Sequence, residues 1–478
     1  MPDRRTQLAV IGAGPGGYTA AFLAADMGMS VTLIDPAENP GGVCLYRGCI
    51  PSKALLHISR LIYEASDAEA WGLLFGKPTI DIDRMRQWKS DVVGTLTNGL
   101  GHLVTQRKID HIRATAAFLD KRTLSLSGSG GKTSTLGFEH AIVATGSRSV
   151  DIPALNADAD LIWNSKKALE LESVPESLLV VGGGYIGLEL GSVYAALGST
   201  VTVVEMLPQL LTGVDRDLVR FLTKSLKERF ADILLNTTVE AADIRGDGVN
   251  ITLRSQDDDP GTHTFKRVLV AVGRQPATAG VGLEKAGIAM NADGFIQTDT
   301  QCRSSAAHVF AIGDAAGQPM LAHKASYEAR IAVETIAGKN VIADAVSIPA
   351  VVFTDPEIAW TGLTENEARE KGLSVNVTRF PWAASGRAIT LGRNGGLTKL
   401  VIDPETERLL GVGMVGPGVG ELIAEASLAL EMGANVTDVG LTIHPHPTLS
   451  ETFKEAADIF HGTATHYYRP KRNRARSK

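Results

Sequence analysis

The sequence predicts an α/β fold in which one structural unit is built twice and a separate α+β domain follows. Two observations carry the prediction. Twice, a short apolar strand runs into a glycine-rich turn that opens a helical stretch, and a second strand then ends on an acid. Beyond residue 344, strand and helix patterns alternate without such a turn, as in an α+β domain.

The first copy begins with an apolar strand over residues 8–12. Gly12-Ala13-Gly14-Pro15-Gly16-Gly17 follows, then a helical stretch over 18–27 and a strand over 30–34 that ends at Asp35. The second copy has a strand over 178–182, Gly182-Gly183-Gly184-Tyr185-Ile186-Gly187, a helix to Ala196 and a strand over 200–204 that ends at Glu205. In each copy the acid stands 18 positions after the last glycine.

A lone GxGxxG is a weak signal. Between a strand and a helix, with an acid at this distance, it describes a Rossmann-like dinucleotide-binding unit. Gly12 and Gly182 allow the tight turn, Gly14 and Gly184 admit a pyrophosphate, and Gly17 and Gly187 let helix and strand pack closely. The phosphates then lie at a helix N-terminus, and Asp35 or Glu205 accepts hydrogen bonds from an adenosine ribose. Glu205 is followed by Met-Leu-Pro rather than by arginines, so a 2′-phosphate is repelled and NAD is preferred to NADP.

Two of the three cysteines, Cys44 and Cys49, follow the first copy in Gly41-Gly42-Val43-Cys44-Leu45-Tyr46-Arg47-Gly48-Cys49-Ile50-Pro51-Ser52-Lys53. A close pair can hold two electrons as a dithiol and release them by closing to a disulfide. Five positions apart in an ideal helix, the Cα atoms would be roughly 8–9 Å apart. A disulfide needs about 4.4–6.8 Å. Gly48 and Pro51 permit the distorted helix entry that would bring them closer. Lys53 falls four residues after Cys49, on the same helical face, where its charge favours a thiolate. The alternative is two free thiols that never meet. A zinc half-site is disfavoured by the spacing and by the lack of further cysteines, and no metal is expected.

Length and composition set the bounds. At 478 residues the chain should form several domains. It is 44% hydrophobic and 21% charged, as expected of a globular protein. A net charge of −6 gives no electrostatic case for nucleic acid. Residues 469–478 hold six of the 47 Lys and Arg residues and no acid; such a run is usually a solvated tail. No apolar segment is long enough to span a membrane. The first residues resemble a secretory leader only superficially, because their short apolar run enters the glycine turn directly. A redox pair without an export signal suits a cytoplasmic location. Cys302 reads as a structural or surface thiol.

Residues 53–107 read as long helices, with Arg60, Arg84 and Lys89 among acids on solvated faces. Residues 123–127 and 138–144 read as strands, and 214–230 as an amphipathic helix. Residues 397–402 and 424–432 exemplify the alternating patterns of the last domain. The patterning divides the chain into 1–147, 148–272, 273–343 and 344–478.

These motifs resemble those of the pyridine nucleotide–disulfide oxidoreductases, in particular the members that oxidise dihydrolipoamide. The resemblance covers essentially the whole chain. Beyond Gly41 to Lys53 it includes Ala144-Thr145-Gly146, Val272-Gly273-Arg274-Gln275-Pro276, Phe310-Ala311-Ile312-Gly313-Asp314 and His444-Pro445-His446-Pro447-Thr448-Leu449-Ser450-Glu451. It implies two Rossmann-like dinucleotide-binding domains, for FAD and for NAD, plus a central segment completing the FAD site and a C-terminal α+β dimerisation domain.

By the same resemblance, Gly12, Gly14, Gly17, Asp35, Lys53, Thr145, Gly146, Asp314 and Ala322 would hold FAD, with Asp35 on its ribose and Asp314 on its ribityl chain. Gly182, Gly184, Tyr185, Gly187, Glu205 and Gly273 would hold NAD. Cys49 would face the flavin and Cys44 would meet substrate. Lys53 and Glu189 would form an ion pair near the flavin and nicotinamide. His446, oriented by Glu451, would be the acid/base and would reach the disulfide of the other subunit of a homodimer; His444 would be structural. The activity implied is oxidation of protein-bound dihydrolipoamide with reduction of NAD⁺. Its partner would be a lipoyl carrier on a separate chain: a 2-oxoacid dehydrogenase E2 component, a glycine-cleavage H-protein or a specialised carrier.

Three positions depart from the family pattern. Tyr46-Arg47 stands where relatives often have a small polar and an aliphatic residue. Asp35 replaces a more usual glutamate. Tyr185 stands where lipoamide enzymes usually carry an aliphatic residue. A glutathione-type reductase would need NADP-selecting arginines, and a mercuric reductase a further C-terminal cysteine pair; neither is present. A structural subunit with vestigial catalysis would have lost the redox residues. Tyr185 is expected to gate NAD entry. Stopped-flow reduction by NADH should change in rate in Tyr185→Val, and an unchanged rate would rule the gate out.

Overall fold

The computed structural model describes residues 2–128, 130–155, 160–255 and 261–468. The basic run at 469–478 lies outside them.

The first glycine turn sits in a sheet of β1 (Arg4–Ile11), β2 (Val31–Ile34), β3 (Asp110–Ile112), β4 (Ala114–Asp120), β5 (Thr123–Gly128) and β6 (Thr133–Val143), ordered β3-β2-β1-β6-β5-β4. β3, β2, β1 and β6 run parallel, whereas β6, β5 and β4 form an antiparallel extension. β1 is apolar and buried from Leu8 to Ile11, as a strand covered on both faces must be. Helices α1 (Pro15–Asp26), α2 (Gly42–Arg47), α3 (Cys49–Asp67) and α4 (Ile82–Gln106) belong to this half. The short strand β7 (Ser147–Ser149) leads into the second half.

The second turn lies in an all-parallel sheet containing β8 (Ile162–Asn164), β9 (Ser177–Val181), β10 (Thr200–Val204) and β11 (Asp232–Leu234). Its helices are α5 (Ser165–Glu170), α6 (Tyr185–Leu197) and α7 (Arg216–Arg229). An antiparallel sheet of β12 (Thr237–Arg245), β13 (Gly248–Ser255) and β14 (Gly261–Phe265) is inserted before β15 (Arg267–Val270), which gives the parallel order β11-β10-β9-β15-β8. The chain then returns to the first half. β16 (Arg274–Pro276) pairs with β7, and β17 (Val309–Ala311) adds parallel to β6, followed by α8 (Ala322–Ile336) against α1.

The C-terminal sheet is wholly antiparallel. Its strands β18 (Ala350–Val352), β19 (Glu357–Gly362), β20 (Asn376–Pro381), β21 (Leu397–Ile402) and β22 (Leu409–Gly416) take the order β18-β19-β22-β21-β20. Helices α9 (Glu365–Glu370), α10 (Gly386–Thr390), α11 (Val419–Glu431), α12 (Val436–Leu441) and α13 (Glu451–His461) accompany it. One core cluster crosses these boundaries, joining Leu55 of α3 and Leu188 of α6 to Val352, Ile358 and Val415 of the last sheet.

A charged cluster ties the second unit to the C-terminal domain. Lys399 of β21 is 1% exposed, and its Nζ lies 2.8 Å from Asp215, 3.0 Å from Asp217 and 2.7 Å from Glu365. Arg379 of β20 adds a second cation, at 2.7 Å from Asp217. Asp215 also accepts the backbone N–H groups of Glu365 and Asn366. Breaking a buried pair of this kind costs about 3–5 kcal/mol, because it strands the remaining charge.

The long helices expected over 53–107 are α3 and α4, separated by an exposed stretch in which Leu73, Leu74 and Phe75 face outward. Gly72, with φ +83°, closes the short 3-10 turn over Ala68–Trp71 that follows α3. Lys89 is not on a solvated face: it is buried, and its Nζ donates to the carbonyls of Leu169 at 2.5 Å and Glu170 at 3.3 Å, at the end of α5. A cation there offsets the negative end of that short helix. Cys302 is a buried core residue, and burial pushes its thiol up to about 12.

Candidate active site

The first and last glycines of each turn, Gly12 and Gly17, Gly182 and Gly187, leave no room for a side chain. A Cβ on Gly17 would stand 1.8 Å from the Gly12 carbonyl oxygen, and one on Gly187 would stand 2.2 Å from that of Gly182. Each turn is then clamped by the acid that ends the next strand. Asp35 accepts the N–H of Ala13 on one oxygen and of Ala37 on the other, both at 2.9 Å. Glu205 repeats this with Gly183 at 2.7 Å and Leu207 at 2.9 Å. The acids therefore fix the turns, and the two copies match in hydrogen bonding as well as in spelling.

The cysteine segment is laid against the first turn. Gly42 has φ +59°, and a Cβ there would lie 2.5 Å from the Gly14 Cα. α2 then carries Cys44 and stops at Gly48, whose φ of −146° and ψ of −112° break the helix. Cys49 begins α3. The break does what an uninterrupted helix could not: it brings Cys44 and Cys49 close enough that each thiol is the largest influence on the other. Both are free thiols in this structure.

The two sulfurs are unequal. The Cys44 thiol lowers Cys49 most; burial and Glu189 push the other way, Lys53 adds to the lowering, and the thiol falls from 9.0 to about 7. Cys44 is pushed far up, first by the Cys49 thiol beside it and then by burial. Cys49 is therefore the thiolate of the pair near neutral pH.

Lys53 Nζ lies 2.8 Å from Glu189 Oε2. Glu189 is 2% exposed, and its other oxygen accepts the Phe353 N–H at 3.0 Å. One cavity brings together Gly12, Asp35, Cys44, Cys49, Lys53 and Asp314. A second runs along the other glycine turn past Glu205. Tyr185 and Arg274 line both. Tyr185 stands at the partition, and burial pushes its phenol up to about 12.

Sequence reasoning misses several supports. Ser147 donates to Asp314 and accepts from Arg274 Nε at 2.8 Å. Glu328 accepts the Gly313 N–H at 2.7 Å, beside Asp314. Phe353 carries no motif that would single it out either. Ser147 and Glu328 become visible only when distant parts of the chain meet.

His446 lies elsewhere. Its Nδ1 is 2.9 Å from Glu451 Oε1, while Glu451 Oε2 accepts the Thr448 N–H at 2.8 Å. Against the raising effect of burial, that N–H and His446 hold the Glu451 carboxyl below its usual range. The His446 side chain is 71% exposed and does not line the cysteine cavity. His444 is tied on both nitrogens, to Thr442 O at 2.9 Å and Glu425 at 2.8 Å. Among the described residues, no cluster of three or more His, Cys, Asp or Glu could hold a metal ion, and no helix is long and apolar enough to cross a membrane.

Comparison with known proteins agrees with this arrangement. The family described as pyridine nucleotide-disulphide oxidoreductase matches residues 6–329, and its dimerisation domain matches residues 348–457. The chain belongs to the pyridine nucleotide-disulphide oxidoreductase family. Dihydrolipoyl dehydrogenase from Vibrio cholerae is 44% identical over 461 residues, covering 96% of this chain and 97% of that protein. Dihydrolipoyl dehydrogenase from Thermus scotoductus is 46% identical, covering 96% and 98%. Among solved structures, LpdA from Mycobacterium tuberculosis superposes with a TM-score of 0.87 at 26% identity over 95% of this chain and 99% of that one. The HOCl-induced flavoprotein disulfide reductase RclA from Escherichia coli gives 0.84 at 29% identity, again over 95% and 99%.

For a pyridine nucleotide-disulphide oxidoreductase, the first cavity fits a bound flavin dinucleotide. Thr145 Oγ1 is buried there with no partner among the described residues, and the glycine turn leaves backbone open to a pyrophosphate. Cys49 can be titrated cleanly, since Cys302, Tyr185 and Tyr194 ionise well above it. Ultraviolet thiolate absorbance of the reduced protein should show a midpoint near 7 that moves upward in Cys44→Ala. An unmoved midpoint would remove Cys44 as the source of the lowering.

Proposed function

We propose that this chain is a dihydrolipoyl dehydrogenase that oxidises protein-bound dihydrolipoamide to lipoamide and reduces NAD⁺ to NADH. The observation that carries the reading is the Cys44–Cys49 dithiol, with its lowered Cys49, set in the cavity of the first glycine turn beside Lys53 and Glu189. Full-length similarity to dihydrolipoyl dehydrogenases supports it.

FAD in the first cavity and NAD in the second supply two-electron transfer from the dithiol to the nicotinamide. Gly12, Gly14, Gly17, Asp35, Thr145, Gly146, Asp314 and Ala322 would hold the FAD, the glycine turn offering its backbone to the pyrophosphate. Gly182, Gly184, Gly187, Glu205 and Gly273 would do the same for NAD. Tyr185 stands between the two sites.

The thiol chemistry belongs to the chain. A substrate thiol gives its proton to His446 of a second copy, since this loop stays outside the cysteine cavity of its own chain. Glu451 fixes the imidazole and stabilises it once charged. The substrate thiolate attacks Cys44 of the disulfide; the Cys44–Cys49 bond breaks and Cys49 leaves as thiolate. The second substrate thiol then attacks the sulfur of its own mixed disulfide and the bond to Cys44 breaks; Cys44 leaves and ends with the proton of that thiol, which releases lipoamide and leaves the cysteine pair two electrons richer. Leaving-group quality follows from the low Cys49, and the positive Lys53 helps hold its charge.

The dimerisation-domain match supports a homodimer. The lipoyl carrier arrives on another chain, and a cytoplasmic location suits the redox pair. Purified protein should reduce NAD⁺ rapidly with free dihydrolipoamide and be inactive with NADPH plus glutathione disulfide. The first activity should vanish in Cys49→Ser. No turnover by FAD-loaded dimer would overturn the reading.

A further inference from the structure

The Lys53–Glu189 pair joins the two nucleotide-binding folds, yet neither fold completes it. Glu189 has one donor on each oxygen: Lys53 Nζ at 2.8 Å on Oε2, and the backbone N–H of Phe353 at 3.0 Å on Oε1. The Lys53 ammonium also stands over the Phe353 ring, 4.6 Å from its centroid. One residue just beyond β18 of the C-terminal sheet thus touches both members of the pair. We propose that Phe353 is a positioning residue for Lys53 and Glu189, so that the seating of the C-terminal domain sets the charge Cys49 feels. The inference rests on reading Cys49 as the redox thiolate.

The loop that carries Phe353 is firmly held. The Asp355 carbonyl accepts Ser225 Oγ at 2.8 Å and Arg229 Nη1 at 3.1 Å, both from α7. The Asp355 carboxylate pairs with Arg229 at 2.8 Å and with Arg393. Thr354 is buried, and its hydroxyl donates to Pro356 O at 2.9 Å. Phe353 is therefore fixed by contacts with the second fold and with its own domain.

Its two contacts differ in kind. The N–H to Glu189 could come from any residue but proline. The ring face is specific to an aromatic side chain, whose π electrons attract a cation. Lys53 is 30% exposed, so water competes for its ammonium. Without the ring, that charge can follow Glu189 or solvent away from Cys49. The groups whose charge or burial bears on Cys49 are Cys44 from α2, Lys53 from its own helix and Glu189 from α6, with Tyr185 of α6 and Tyr18 of α1 nearby. Arg47, Arg274, Asp35 and Asp314 line the same cavity, but Lys53 is the cation that lowers the Cys49 thiol.

The test titrates the Cys49 thiolate by ultraviolet absorbance in reduced, FAD-loaded protein. Phe353→Leu keeps the backbone N–H and removes the ring; Phe353→Met is a second non-aromatic replacement should the first fold poorly. Either should raise the midpoint by about half a pH unit, while Phe353→Tyr should keep the wild-type value. In a Lys53→Met background the Leu or Met change should add no further shift. An unmoved midpoint in folded, FAD-loaded variants would overturn the inference. So would an equal shift in both backgrounds, which would mean that Phe353 acts by packing alone. The titration uses no lipoyl substrate, so a protein that failed with dihydrolipoamide could still show the shift.

Discussion

The ion pair between Lys53 and Glu189 is the constraint on which the arrangement of the active site depends. Glu189 is nearly inaccessible to water, and a carboxylate so buried is tolerated only with donors at hand. Removing one partner of a buried pair costs about 3–5 kcal/mol, with the low end fitting a partly exposed lysine. A packing of α3 on α6 that moved Lys53 off Glu189 would incur that penalty. Because Lys53 is one helical turn beyond Cys49, the condition that seats α3 also points the cysteine pair into the first cavity. The partition between the cavities, at Tyr185 on α6, is set by the same contact between helices.

Duplication supplies the frame on either side of this pair. Asp35 and Glu205 clamp their glycine turns with the same pair of backbone N–H contacts. The two units diverge immediately beyond the clamp. After Asp35 the chain passes tightly beneath Gly14 and delivers two cysteines; after Glu205 it runs into Met206 and Leu207 beside the second cavity. One geometry thus serves two cavities, and local sequence decides which of them receives the thiols.

The parts legible in the sequence are those whose causes are local. The glycine turns, their acids, the helix break at Gly48 and the His446–Glu451 contact all lie within short stretches of chain. Glu189 is reached only through family resemblance, since nothing in its own neighbourhood marks it. Lys89 is misleading because its partners are carbonyls about 80 positions away on α5, and a lysine among acids looks solvated until that helix end arrives. Residues 53–107 read as long helices, and α3 and α4 are those helices, with the exposed stretch after Gly72 between them. Ser147, Glu328 and Phe353 likewise gain their roles from long-range contacts. His446 is a different case: its own support is local, but the thiols it would serve lie in a cavity that a single chain does not extend to it.

The central claim is that Cys49 responds directly to the two charges of the ion pair, Lys53 favouring the thiolate and Glu189 opposing it. Thiolate titration of reduced Glu189→Gln, in which the glutamine carbonyl can still accept from Lys53, tests it most directly. The account predicts a midpoint below the wild-type value of about 7, because an opposing negative charge has gone. A midpoint above it would contradict the account, showing that Glu189 matters to Cys49 only as the anchor of Lys53.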